Sequence, residues 1–180
     1  MYELIEKYPK DLGFHMPAEW SLHHQTWMMW PTGLDLDRYP NTDTIRQAHA
    51  ETANLIADFE PVTIIANKQD TDNLKTMVAS NVSVMTDEID DSWCRDSGPT
   101  FITNEKEIAG IDWTFNNYGE LCGLDYSKDA ETAEKIIKQL NIKHFKPPIV
   151  LEGGAIHTDG NGTLMLTEDV IFDPERNSGL

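Results

Sequence analysis

Two cysteines in 180 residues, Cys94 and Cys122, are too few for a disulfide framework, and a chain of this length has no need of one. The pattern reads as two reduced thiols. Neither carries a local activation signature, because Arg95 adjoins Cys94 on a stretch where neighbours point to opposite faces. Basic residues are also scarce. Fourteen Lys and Arg stand against thirty-one Asp and Glu, a formal charge of −17. That balance excludes nucleic acid, which needs a basic face to displace counterions, and it disfavours anionic membrane surfaces. It suits a cationic small molecule, which an acidic cleft concentrates, and it serves solubility equally well. No apolar run is long enough to span a bilayer. Met1 to Lys7 lack a basic start followed by an apolar core, so the expected location is the cytoplasm. A Gly-rich phosphate loop and a Ser-centred nucleophile elbow are both missing.

What remains is globular composition and one domain by length, with residues 1–19 as a polar, Pro-punctuated terminal arm. The spacing of Ile45, Ala48, Thr52, Leu55, Ile56 and Phe59 predicts a helix over 43–59, capped by Thr42 or Asp43 and ended by Pro61. Val62 to Ala66 is β-branched and apolar throughout, the pattern of a strand buried on both faces. Helices are also expected over 70–80, with Leu74, Met77 and Val78 inward, and over 129–140, on Ala133, Ile136, Ile137 and Leu140. Strands are expected at 25–31, 82–85, 100–103, 108–115, 144–145, 149–151 and 163–167, and residues 173–180 read as a polar end. Strands alternating with helices make the chain α/β.

Two stretches concentrate chemistry. Asp91-Ser92-Trp93-Cys94-Arg95-Asp96-Ser97-Gly98-Pro99 and Leu151-Glu152-Gly153-Gly154 each set a carboxylate beside a glycine-bounded turn. If the turns converge, Asp96 and Glu152 form a receptor for a planar cation, since a carboxylate accepts a guanidinium fork through two parallel hydrogen bonds. Asp96 equally suits a turn cap or a pair with Arg95. Trp93 is either a flat wall for a ligand or ordinary packing. Glu152, between an apolar run and two glycines, does not fit a solvated face. His157-Thr158-Asp159-Gly160-Asn161-Gly162 partly fits a calcium loop, with Glu168 at its far end. It starts on His rather than an acid, and its strand-like flanks favour a hairpin. His23-His24 cannot share a helix face, and His15, His49 and His144 stand isolated, so no metal site is read.

Several stretches, in order along the chain, resemble the agmatine deiminases of bacteria and plants. They are Met16-Pro17-Ala18-Glu19-Trp20, His24-Gln25-Thr26-Trp27-Met28-Met29-Trp30-Pro31, Asp90 to Phe101, Thr114-Phe115-Asn116, and Leu151-Glu152-Gly153-Gly154 with Ile156-His157. The Porphyromonas-type peptidyl-arginine deiminases share much of this pattern. Cys94 stands where the family usually has methionine, and Asn117-Tyr118 replaces its alanine-tryptophan. The resemblance implies a pentein fold, an α/β propeller of five strand-and-helix units, of which 180 residues would make two to three in a single partial domain. It implies a hydrolase that converts agmatine to N-carbamoylputrescine and ammonia, on the way to putrescine, without a metal or organic cofactor. By resemblance Asp96 and Glu152 grip the guanidinium and Trp93 lines the channel. The family's nucleophilic cysteine and catalytic His-x-Asp lie beyond position 180, and neither Cys94 nor Cys122 matches the nucleophile. The expectation is therefore an N-terminal half that is inactive alone and is completed by a C-terminal half or a homo-oligomer. Peptidyl-arginine or arginine deiminase is the alternative activity, and a non-catalytic binding or assembly fragment is the alternative role.

Overall fold

The computed structural model describes residues 1–32, 41–120 and 123–179. The single domain expected over 1–180 divides into two compact units, residues 22–94 and residues 1–21 with 95–180.

The 22–94 unit is three parallel strands in spatial order: β1 (Thr26–Met29), β2 (Val62–Ala66) and β3 (Val82–Thr86). Parallel neighbours need crossovers, and helices α1 (Thr42–Ala57) and α2 (Lys68–Met77) occupy the links. The central strand, β2, is the β-branched run, and Val62, Ile64, Ile65 and Ala66 are buried as its composition requires. α1 begins one residue before the expected cap candidates' turn: Asn41 is the cap, its side-chain oxygen accepting from the Thr44 N–H at 3.3 Å. Its buried face is partly different: Ala50 and Ala53 are buried in the core and the expected Ile56 packs against it, while Leu55 is exposed, as is Phe59 beyond the helix's end. α2 buries Leu74 as expected. Arg46 pairs with the buried Asp70 at 2.6 Å.

The other unit holds a four-stranded mixed sheet and a hairpin. The stretch expected as a terminal arm supplies β4 (Glu3–Ile5), which pairs parallel to β7 (Lys143–Phe145). Tyr2 anchors it: its hydroxyl bonds His144 Nδ1 at 3.1 Å, and its N–H donates to Asn141 at 2.7 Å. β5 (Thr100–Thr103) and β6 (Ile108–Ile111) form an antiparallel hairpin, and β6 runs parallel to β7. Phe14, Ile102, Ala109 and Phe145 make the core beneath. The helix α3 (Thr132–Leu140) buries Ala133, Ile136 and Ile137, the stripe its periodicity predicts. The expected strand at 149–151 is reduced to one parallel bridge, Thr114 to Val150. The Asp159–Gly162 turn joins β8 (Ile156–Thr158) to β9 (Leu164–Leu166). A single-turn helix, α4 (Glu168–Ile171), follows β9, and the expected polar end at 173–180 contains another, α5 (Pro174–Asn177).

Candidate functional site

Asp96 sits in the single helical turn Cys94–Ser97, just before β5. Its side chain reaches across to the turn after residue 151. Oδ1 accepts the Gly154 N–H at 2.9 Å, and Oδ2 accepts the Tyr118 hydroxyl at 3.0 Å. The double glycine is what permits this approach. A Cβ on Gly153 would lie 2.1 Å from the Arg95 carbonyl oxygen, and one on Gly154 would lie 2.5 Å from Asp96 Oδ1. The two stretches picked out in the sequence therefore meet, and the contact is a carboxylate on a backbone N–H.

Glu152 lies two residues before that N–H and is 3% exposed. Its position is fixed from the chain's last turn. Asn177 clasps both backbone groups of Val150, its Oδ1 accepting from the N–H at 3.0 Å and its Nδ2 donating to the carbonyl at 2.9 Å. Arg176 Nε donates to Glu152 Oε1 at 2.8 Å. A second guanidinium nitrogen, Nη1, donates to Asp173 Oδ2, and Asp173 Oδ1 caps the turn through the Glu175 N–H at 2.9 Å. Burial works to lower the Arg176 pKa, but Glu152 and Asp173 together hold it above the ordinary value, so this cation is permanent. Among the described residues, Glu152 Oε2 is buried without a hydrogen-bond partner. A buried acceptor in that state costs about 1–3 kcal/mol, which a ligand's N–H would recover.

Each carboxylate already has partners. Neither carboxylate offers an empty two-oxygen fork. Both Asp96 oxygens already accept one bond, and Glu152 has spent Oε1 on Arg176. Each oxygen has two lone pairs, so Asp96 keeps one on each oxygen, Glu152 keeps one on Oε1, and the most open acceptor is Glu152 Oε2. The sequence reading missed Arg176 and Asn177, whereas Tyr118 entered it as part of the Asn117-Tyr118 departure from the family's pattern. Asp173-Pro174 is a recognisable helix start, a capping acid followed by proline at the first position, and it would have flagged the final turn as ordered. Nothing local announces that Arg176 faces Glu152.

Other candidates fall elsewhere. Arg95 does not pair with Asp96; its guanidinium forks onto Glu19 at 2.9 and 2.7 Å. Trp93 belongs to the 22–94 unit and is 47% exposed. Cys94 is half-buried, and Cys122 lies outside the described residues. The His157 segment forms the hairpin, with the Asp159 carboxylate taking the Asn161 and Thr163 N–H groups at 2.8 and 3.0 Å. His144, isolated in sequence, is buried and bonded through Nε2 to Asp112 at 3.0 Å, and Asp112 also pairs with Lys146. A cavity of about 340 Å³ opens on the glycine turn between Glu19, Arg95, His157 and Leu166; Asp96 and Glu152 do not line it.

Comparison with known proteins identifies relatives of this arrangement. A family model described as Porphyromonas-type peptidyl-arginine deiminase matches residues 15–180. An agmatine deiminase of Ectopseudomonas mendocina is 40% identical over 178 residues, covering 96% of this chain and 48% of its own length. One from Medicago truncatula is 38% identical over 188 residues, covering 98% of this chain and 50% of its own. The solved agmatine deiminase of Enterococcus faecalis superposes with a TM-score of 0.93 at 31% identity, over 100% of this chain and 50% of that one. The chain thus spans about half the length of the relatives it matches.

Proposed function

Because the chain belongs to the Porphyromonas-type peptidyl-arginine deiminase family, we propose that it supplies the substrate-holding carboxylates of an agmatine deiminase. The observation that carries this reading is the buried Glu152, with Oε2 unpartnered, two residues from the N–H that orients Asp96. In the proposed chemistry Glu152 and Asp96 accept guanidinium N–H groups and hold the planar cation for attack. A guanidinium is a poor electrophile because its charge is delocalised, and carboxylates on its nitrogens localise that charge. A thiolate then attacks the central carbon, an imidazole protonates the departing ammonia, and water releases N-carbamoylputrescine. The thiol and the imidazole belong, in this proposal, to the half of the relatives' length that these 180 residues do not span. We place the two α/β units within a five-unit pentein propeller completed by that half, and Trp93 at the wall of its channel.

The test is direct. Calorimetric titration should show agmatine binding to the chain, with ammonia release only when the complementary half is added. Asp96→Asn and Glu152→Gln should each abolish the heat of binding. Retained binding in both variants would remove the site assignment, and ammonia release by the chain alone would remove the divided chemistry. The family description favours one second reading, a peptidyl-arginine substrate, for which an arginine-containing peptide would outcompete agmatine in the same titration.

A further inference from the structure

Arg176 is a guanidinium already seated on the carboxylate proposed to hold a guanidinium. It uses two nitrogens on two acids, Nε on Glu152 and Nη1 on Asp173, which a planar, rigid donor set can do and an ammonium cannot. It is mostly buried, as is Glu152. If it were absent, Glu152 would be a buried anion free to turn both oxygens to any cation.

The surrounding chain is built to keep Arg176 in place. Asn117, Tyr118, Gly119 and Glu120 all have positive φ, at 51°, 60°, 80° and 58°. For the three with side chains this left-handed conformation is unfavourable and persists only when neighbours impose it. Asn116 does so. Its Oδ1 accepts the Gly119 N–H at 3.0 Å, its carbonyl accepts the Glu120 N–H at 2.8 Å, and its Nδ2 donates to the Glu175 carbonyl at 3.1 Å. Gly119 lies directly on the ion pair, where a Cβ would stand 3.2 Å from Arg176 Nη1 and 3.3 Å from Asp173 Oδ2. The next residue back, Tyr118, donates its hydroxyl to Asp96. One strained loop therefore touches the support of both carboxylates.

We propose that Arg176 is a positioning residue: it occupies Glu152 Oε1, fixes the carboxylate's rotation, and leaves Oε2 as the single oxygen that meets a ligand's guanidinium. The inference rests on the reading of Glu152 as a substrate-holding acid. It assigns the chain's final turn, a stretch without chemical motif, to the binding site.

Agmatine titration into the whole chain compares wild type with Arg176→Lys and Arg176→Gln. Losing the orientation of one charge-assisted hydrogen bond predicts affinity about tenfold weaker for the lysine variant, which keeps the charge without the fork. The glutamine variant should be about a hundredfold weaker. Lysine restoring part of what glutamine loses separates positioning from mere packing. Equal affinity in all three overturns the role. A second readout needs no agmatine: the carboxyl ¹³C chemical shift of Glu152 at neutral pH, which reports the hydrogen bonds on its oxygens. That resonance should move in Arg176→Gln, and an unmoved resonance overturns the pairing. If wild type ignores agmatine while that resonance moves, the proposed substrate is wrong and Arg176 still orients Glu152.

Discussion

Replacing Gly153 by alanine tests the point where the site's two halves touch. The added Cβ would sit 2.1 Å from the Arg95 carbonyl oxygen, over an ångström short of the 3.4 Å at which ordinary contact begins. That oxygen is backbone, so no rotamer relieves the clash. The 95–96 segment must retreat from the 153–154 turn, at about 1–3 kcal/mol for overpacking. The retreat also stretches the bond from the Gly154 N–H to Asp96, a charge-assisted bond of about 1.5–3 kcal/mol. The expected loss is about 3 kcal/mol, or a melting midpoint about 6–12 °C lower for a chain of this size, with agmatine affinity falling alongside. Urea denaturation and calorimetry measure both. Gly154→Ala is the matched control. Its clash, 2.5 Å to Asp96 Oδ1, is with a side-chain end that can rotate away. Turning Asp96 away still forfeits the bond from the Gly154 N–H, so stability should drop by about 1.5–3 kcal/mol without the added overpacking cost, while binding is lost because Asp96 has turned. A Gly153→Ala chain as stable as wild type and equally able to bind agmatine would refute the close-approach argument.

Tyr118→Phe removes only the hydroxyl on Asp96 Oδ2; agmatine binding should weaken about tenfold with the melting midpoint nearly unchanged, and unaltered binding would show Asp96 to be held by Gly154 alone. Asp112→Ala strips the buried acceptor shared by His144 and Lys146 and should cost about 3 kcal/mol in urea denaturation, without a specific effect on agmatine once stability is allowed for. Acid should destabilise the fold with a definite sign. The Lys138 hydrogen bond holds Glu134 below its usual 4.5 against the opposing effect of burial, and the Glu175 N–H leads in holding Asp173 below its usual 3.8. Both carboxyls bind protons more readily when unfolded, so their contribution is complete above that range and is lost as pH falls through the folded values. Urea midpoints constant from neutral pH down to about pH 3 would contradict this.

The sequence alone determined the elements whose evidence is local. The apolar β-branched run at Val62–Ala66 reads as a covered strand, the stripe Ala133, Ile136, Ile137 as a helix face, and Asp159-Gly160-Asn161-Gly162 as a tight turn in preference to a calcium loop. It also marked Glu152, because an acid between an apolar run and paired glycines does not fit a solvated face, and it marked Asp96 beside a glycine-bounded turn, with a turn cap or a pair with Arg95 as equal readings. Tertiary structure decided what depends on who stands opposite. The inward face of α1 was settled by the strands opposite, which bury Ala50 and Ala53 and pack Ile56 while Leu55 is left exposed. The first residues became a sheet strand because Tyr2 found His144, 142 positions away. Arg176 reached Glu152 across 24 residues and left one oxygen without a partner. Periodicity and turn chemistry act over a few residues, whereas the direction of a carboxylate's unused lone pair is set by groups that only the folded chain brings near.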